Sequence, residues 1–135
     1  MRYLLDTDTL SALTKPSPSP ALLMRIASTA PEDRTTSSVT LAELLFGAFR
    51  AGSRSAEYLS RIRGALPATP FVPFDDAAAE EYGRIRAYLE DRGTPIGHED
   101  TQIAAIALAN DLTVVTGNTR HFERVPGLSA ENWLE

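Results

Sequence analysis

With 135 residues, 43% of them hydrophobic, the chain is short for two domains and sufficient for one domain over residues 1–135 with a sizeable core; a disordered or fibrous chain is excluded. Cysteine is absent and there are two histidines, so disulfides, thiolate chemistry and Cys- or His-rich metal sites are excluded, and any bound metal must sit on oxygen. A net charge of −5 argues against wrapping duplex nucleic acid by sheer basicity, yet a site built of carboxylates makes its own domain acidic.

The predicted elements alternate along the chain. Tyr3-Leu4-Leu5 reads as a short buried strand, and Asp8 to Leu13 as a helix stopped by the run Lys15-Pro16-Ser17-Pro18-Ser19-Pro20. Ala21 to Ala30 is helical in composition, Thr35 to Ser38 is a short strand, and Leu41 to Arg50 is a strongly apolar helix. Ser55 to Ala65 continues as helix, and Phe71-Val72-Pro73-Phe74 reads as an edge strand or strand end. Asp76 to Arg92 is a long amphipathic helix closed by Gly93, followed by the alanine-rich helix His98 to Asn110. Thr113-Val114-Val115-Thr116 is a strand and Asn132-Trp133-Leu134 a last short one. Strands separated by helices imply an α/β fold with a mostly parallel sheet and helices on both faces. No apolar run approaches the ~18 residues of a membrane span, and no signal-peptide core follows Met1, which points to a cytoplasmic protein.

In such sheets ligands bind beyond the carboxyl ends of the strands. Asp6 and Asp8 follow Leu4-Leu5 there, and Gly117-Asn118 follow Val115-Thr116. Asp8 reads equally as an N-cap, whereas a carboxylate directly behind a buried strand, as at Asp6, must be paired or bind a cation. Glu43 is the only charged residue between Arg34 and Arg50. Thr40 and Glu43 have capping-box spacing, but apolar residues on both sides suggest a helix buried on most faces, where a metal ligand fits better. Glu99 and Asp100 open the helix that ends near Asn110, where acids also complement the helix dipole. Asp6, Glu43 and Asp100 can meet only through the fold, as oxygen ligands for Mg²⁺ or Mn²⁺.

Four segments resemble the successive motifs of PIN-domain ribonucleases: Leu4-Leu5-Asp6-Thr7-Asp8, Ser37 to Leu44, Asp100 to Ala105, and Val115 to Phe122. The match is closest to the VapC toxins of bacterial toxin-antitoxin pairs, and the ending Glu131-Asn132-Trp133-Leu134 is similar to theirs. The resemblance spans essentially the whole chain. It implies a three-layer α/β/α sandwich and a Mg²⁺- or Mn²⁺-dependent endoribonuclease, with Asp6, Glu43 and Asp100 as metal ligands. Asn118 matches the fourth position, where many members carry aspartate; Asp8 is placed to restore that charge, and Thr116 to line the site. The resemblance also implies a homodimer and a small VapB-type antitoxin covering the active-site groove.

In that chemistry a carboxylate-held cation activates water for in-line attack on a phosphodiester, so no protein nucleophile is needed. His98 and His121 read as surface residues rather than general bases. Arg50, Arg54, Arg61 and Arg63 form the one basic stretch, which steers RNA phosphates or contacts solvent or a partner. Leu4 to Leu10 also resembles the first motif of haloacid-dehalogenase-type phosphatases, with Asp6 phosphorylated and Asp8 as acid/base. The remaining motifs fall in the wrong order for that family, since Asp75-Asp76 precedes Thr116, and Lys15 lies too close to the first motif. A third alternative is a non-catalytic binding module of the same fold, favoured by Asn118.

Overall fold

The computed structural model describes residues 1–68 and 70–135. Its sheet has four strands, β1 (Tyr3–Leu5), β2 (Arg34–Thr35), β3 (Thr113–Val115) and β4 (Ala130–Glu131), all parallel and in the order β2-β1-β3-β4. Among the described residues seven α-helices flank it: α1 (Thr7–Leu13), α2 (Pro20–Ala27), α3 (Ser38–Phe49), α4 (Ser55–Ala65), α5 (Asp76–Asp91), α6 (His98–Ala109) and α7 (Thr119–Phe122). The expected α/β/α arrangement is therefore present, in the short parallel form.

The two strands at the centre of the sheet explain the layering. Leu4 pairs with Val114 and Leu5 with Val115, and alternation along a strand sends each pair to an opposite face. Leu4 and Val114 join a core with Ile85 and Leu89 of α5 and the buried face of α6. Leu5 and Val115 join a second core with Leu10 of α1, Leu22 of α2 and Trp133. All four strand side chains are essentially inaccessible, so each contributes about 1.5–3 kcal/mol of transfer free energy. In α6, Ile103 to Ala107 are all fully buried, which fits a helix apolar around nearly its whole circumference.

Several boundaries depart from the sequence reading. The segment around Phe71 to Phe74 makes only an isolated parallel bridge, Ser37 to Val72, because α3 begins at Ser38 and takes the partner chain out of the ladder. The last strand is Ala130–Glu131 rather than Asn132-Trp133-Leu134; Trp133 is instead a core anchor, its ring edge-on to Tyr3 at 5.0 Å. The second strand ends at Thr35, because Ser37 turns to cap α3 by accepting from the Thr40 amide. That cap rules out the capping box that the spacing of Thr40 and Glu43 allowed as the alternative to a metal ligand. Helix α3 is also not buried on most faces: among its residues only Thr40 and Ala48 are buried, while Phe46 and Phe49 are 62% and 67% exposed. Gly93 closes α5 as expected, with φ at +69° in the left-handed region that favours glycine.

Candidate active site

The parallel strands converge on one edge, where β1 ends at Leu5 and β3 at Val115. The residue after β1 is Asp6, which caps α1 by accepting from the Thr7 amide at 2.7 Å. Asp8, proposed as a cap, sits inside the first turn. One of its oxygens accepts from the Gly117 amide at 2.8 Å, drawing the loop after β3 against α1. A Cβ at position 117 would lie 2.7 Å from that oxygen and 2.9 Å from Leu134, so any side chain there would have to push both aside.

A continuous hydrogen-bonded chain joins the candidate residues. Glu43 of α3 accepts from the Thr7 hydroxyl at 3.0 Å, and Thr7 gives its amide to Asp6. The other Asp6 oxygen accepts from the Thr116 hydroxyl at 2.9 Å, which itself accepts from the Asn118 amide at 3.0 Å. The Asn118 side chain meets His121 Nδ1 at 2.9 Å, and the same nitrogen meets Asp100 of α6 at 2.7 Å. A carboxylate only accepts, so the Nδ1 proton points to Asp100; a half-turn of the Asn118 amide then lets its oxygen share that proton.

Asp6, Glu43, Asp100, Asn118 and Thr116 are thus linked. His121, read from sequence as a surface side chain, joins two of them directly. The missed signal was the three-residue spacing from Asn118 to His121, which puts both on one side of α7, beside the fully buried Phe122 that anchors it. Thr7 was missed as well. His98 lies outside the chain of contacts and pairs with Tyr82 at 2.8 Å. Of the basic stretch, Arg54 and Arg61 share Glu57 and flank the Tyr58 ring, while Arg50 packs on Phe46. Asp75, the first of the acidic pair in the phosphatase alternative, is an exposed cap of α5.

Electrostatically the cluster is short of positive charge. Asp6 is only 5% exposed, and burial, with Asp8 and Asp100 nearby, pushes its carboxyl up to about 7 against hydrogen bonds that act the other way. The carboxyl of Glu43 is also raised, first by burial and then by Glu99 and Asp100. Among the described residues no three His, Asp or Glu side chains close into a group that would itself enclose a metal ion. Instead Thr7, Thr116 and His121 each hold one carboxylate. An all-oxygen set in which Asp100 helps to raise the carboxyls of both Asp6 and Glu43 fits a hard divalent cation.

A family model described as the PIN domain matches residues 3–128. The chain is 43% identical to the tRNA(fMet)-specific endonuclease VapC of Shigella flexneri, over 72% of this chain and 73% of that one. It is 34% identical to ribonuclease VapC2 of Haemophilus influenzae over 99% of both chains. This chain belongs to the PIN-domain family, among the VapC ribonucleases. The fold matches VapC structures as closely: DNA-bound VapBC of Salmonella typhimurium superposes with a TM-score of 0.89 at 34% identity, covering 98% of both chains. VapBC2 of Rickettsia felis, bound to a DNA fragment from its promoter, gives 0.87 at 28% identity, covering 98% of this chain and 99% of that one. Among the described residues of this VapC relative, no helix is long and apolar enough to cross a membrane.

Proposed function

We propose that this chain is a divalent-metal-dependent endoribonuclease that acts in the cytoplasm as the toxin of a toxin-antitoxin pair. The observation that carries this reading is the chain of contacts from Glu43 through Asp6 to Asp100, with the buried Asp6 held at a raised pKa. Asp6, Glu43 and Asp100 would hold Mg²⁺ or Mn²⁺. When bound, such an ion lowers the pKa of a water and offsets charge growing on the phosphodiester. The chain's own residues do the positioning. Thr7 and Thr116 fix the rotamers of Glu43 and Asp6, His121 orients Asp100, and Asp8 clamps the loop that carries Asn118. With an amide at 118 in place of an acid, the free site would hold the cation weakly and substrate phosphate would supply further oxygen ligands.

The partner is a VapB-type antitoxin, bound to a toxin homodimer. Its support is α3: an apolar helix that leaves Phe46 and Phe49 in solvent, with Glu43 on the same helix reaching the acid cluster. An amphipathic segment laid on α3 can carry an arginine to Asp6, Glu43 and Asp100. Relatives named for tRNA(fMet) make that RNA the first to assay. Cleavage is expected with Mg²⁺, and expected to vanish with chelator or in Glu43→Gln while the circular dichroism spectrum is kept. Activity that survives both treatments overturns the metal site. Failure of expression of this chain to arrest growth, or of a co-expressed VapB-type antitoxin to relieve that arrest, overturns the toxin assignment alone.

A further inference from the structure

A concavity lies at the first turn of α6, the turn that also carries Asp100 of the acid cluster. It measures about 150 Å³, with Tyr82, Arg86 and Glu90 of α5 and His98 of α6 on its walls and Leu89 and Ile96 beneath. Positions 82, 86 and 90 recur at helical spacing, so α5 presents one polar row to the pocket. The row is hydrogen-bonded from end to end. Glu90 accepts from Arg86 Nε at 3.0 Å, Arg86 Nη1 donates to the Tyr82 hydroxyl at 3.2 Å, and that hydroxyl meets His98 Nδ1 at 2.8 Å. The Tyr82 ring stands edge-on to Phe74 at 5.8 Å, and Leu89 and Ile96 are buried, so the floor is apolar and held in place.

We infer that this pocket receives one unpaired nucleobase of the RNA, next to the nucleotide cut at the acid cluster; the inference rests on the ribonuclease reading above. Size supports a single ring system, since pockets for drug-sized ligands run from about 300 to 1,000 Å³. Chemistry supports a base. The apolar floor suits a ring face, and the rim keeps unspent groups of both kinds: the remaining Arg86 N–H donors and the second Glu90 oxygen, which can read a base edge in single-stranded RNA. A bare phosphate suits the pocket less well, because Arg86 is already paired with Glu90 and the carboxylate would face the anion. Position supports adjacency. Gly97 and His98 line the pocket while Asp100, in the same helical turn, belongs to the acid cluster. A helix is about 10–12 Å across with its side chains, so a strand laid over the tip of α6 offers a phosphate to one side and a neighbouring base to the other.

The test is steady-state cleavage, by the full chain with Mg²⁺, of an RNA fragment that it cuts, compared with versions carrying one abasic nucleotide at each position in turn. At one position flanking the cut, loss of the base is expected to raise KM about 10-fold with kcat little changed, as loss of a stacked and hydrogen-bonded base does. In Arg86→Ala the intact RNA should show the raised KM and the abasic change should add less than about 3-fold, the two losses being one interaction. Cleavage with no base-dependent position, or an abasic penalty unaltered in Arg86→Ala, overturns the pocket and leaves the ribonuclease standing. If no RNA is cut, tRNA(fMet) included, the ribonuclease reading falls and the pocket with it.

Discussion

Two aspartates in this chain cap helices, and their surroundings separate a structural carboxylate from one kept at a cost. Asp75 opens α5 by accepting from the Ala78 amide at 3.0 Å, in the open, with water free to solvate its charge. Asp6 opens α1 by the same chemistry, but it is buried behind β1 with Asp8 and Asp100 as electrostatic neighbours. A cap needs only one lone pair, so capping does not explain why Asp6 is buried among like charges. Cation binding, as proposed above, would account for a carboxylate kept buried among like charges, and substitutions at the two caps separate the roles.

The largest effect is expected on cleavage. Asp6→Asn keeps a capping oxygen and the shape of the side chain but removes the charge. RNA cleavage should fall by more than the ~10–100-fold typical of losing an outer partner of a metal ligand. A rate within about tenfold of the parent, measured on the same RNA, would show that Asp6 is only a cap.

Stability should move in the opposite direction. The Asp6 carboxyl rises from 3.8 to about 7 on folding, so between those pH values the native chain keeps a proton that the unfolded chain has released. Stability from this group is therefore fully present below pH 4, is lost as pH rises toward 7, and stays lost above it. A rise of that size corresponds to on the order of 4 kcal/mol. Asp6→Asn should remove that dependence, making the metal-free protein more stable than the parent at pH 8 and about equal to it at pH 4. Urea titrations at the two pH values with chelator present check this, and adding Mg²⁺ should recover stability in the parent only.

The two sides of the contrast were unequally legible in the sequence. Leu4-Leu5 and Val114-Val115 declare buried strands because both side-chain directions are apolar, and the acids behind them stand out against that background. That Asp6, Glu43 and Asp100 fall on one chain of hydrogen bonds is a property of the fold, which their places beside apolar residues suggested and the family motifs reinforced. For His121 the spacing from Asn118 was legible but the contact with Asp100 was not, because it depends on how a four-residue helix docks through Phe122. The apolar run from Leu41 to Phe49 misled for a physical reason: composition does not distinguish a helix buried in its own core from one whose apolar side chains remain in solvent. The strand Ala130–Glu131 was missed because it is held by backbone pairing to Val114 and Val115, not by an apolar pattern of its own.

His121 gives the next effect in size. It is half-exposed, so His121→Ala should fold normally, and loss of the 2.7 Å contact frees Asp100 to sample other rotamers. Cleavage should drop about 10–100-fold, with His121→Asn, which keeps a donor, recovering part of it. If the alanine variant cuts RNA at the parental rate, Asp100 is held by its helix alone.

The smallest effect belongs to Asp75. Replacing it with alanine removes the acceptor for the Ala78 amide, one of the four N-terminal amides of α5 that lack helical partners. Such a cap is worth about 1 kcal/mol, and because the carboxylate is exposed there is no buried charge whose removal offsets the loss. Asp75→Ala should therefore lower the urea midpoint slightly and leave the cleavage rate unchanged, the reverse of Asp6→Asn on both measurements. Pairing the two substitutions makes the comparison quantitative, since the sites share no hydrogen-bond partner and their stability effects should add within about 0.5 kcal/mol. A loss of cleavage in Asp75→Ala would mean that α5 couples to the acid cluster, and that an exposed cap reaches further than its own helix.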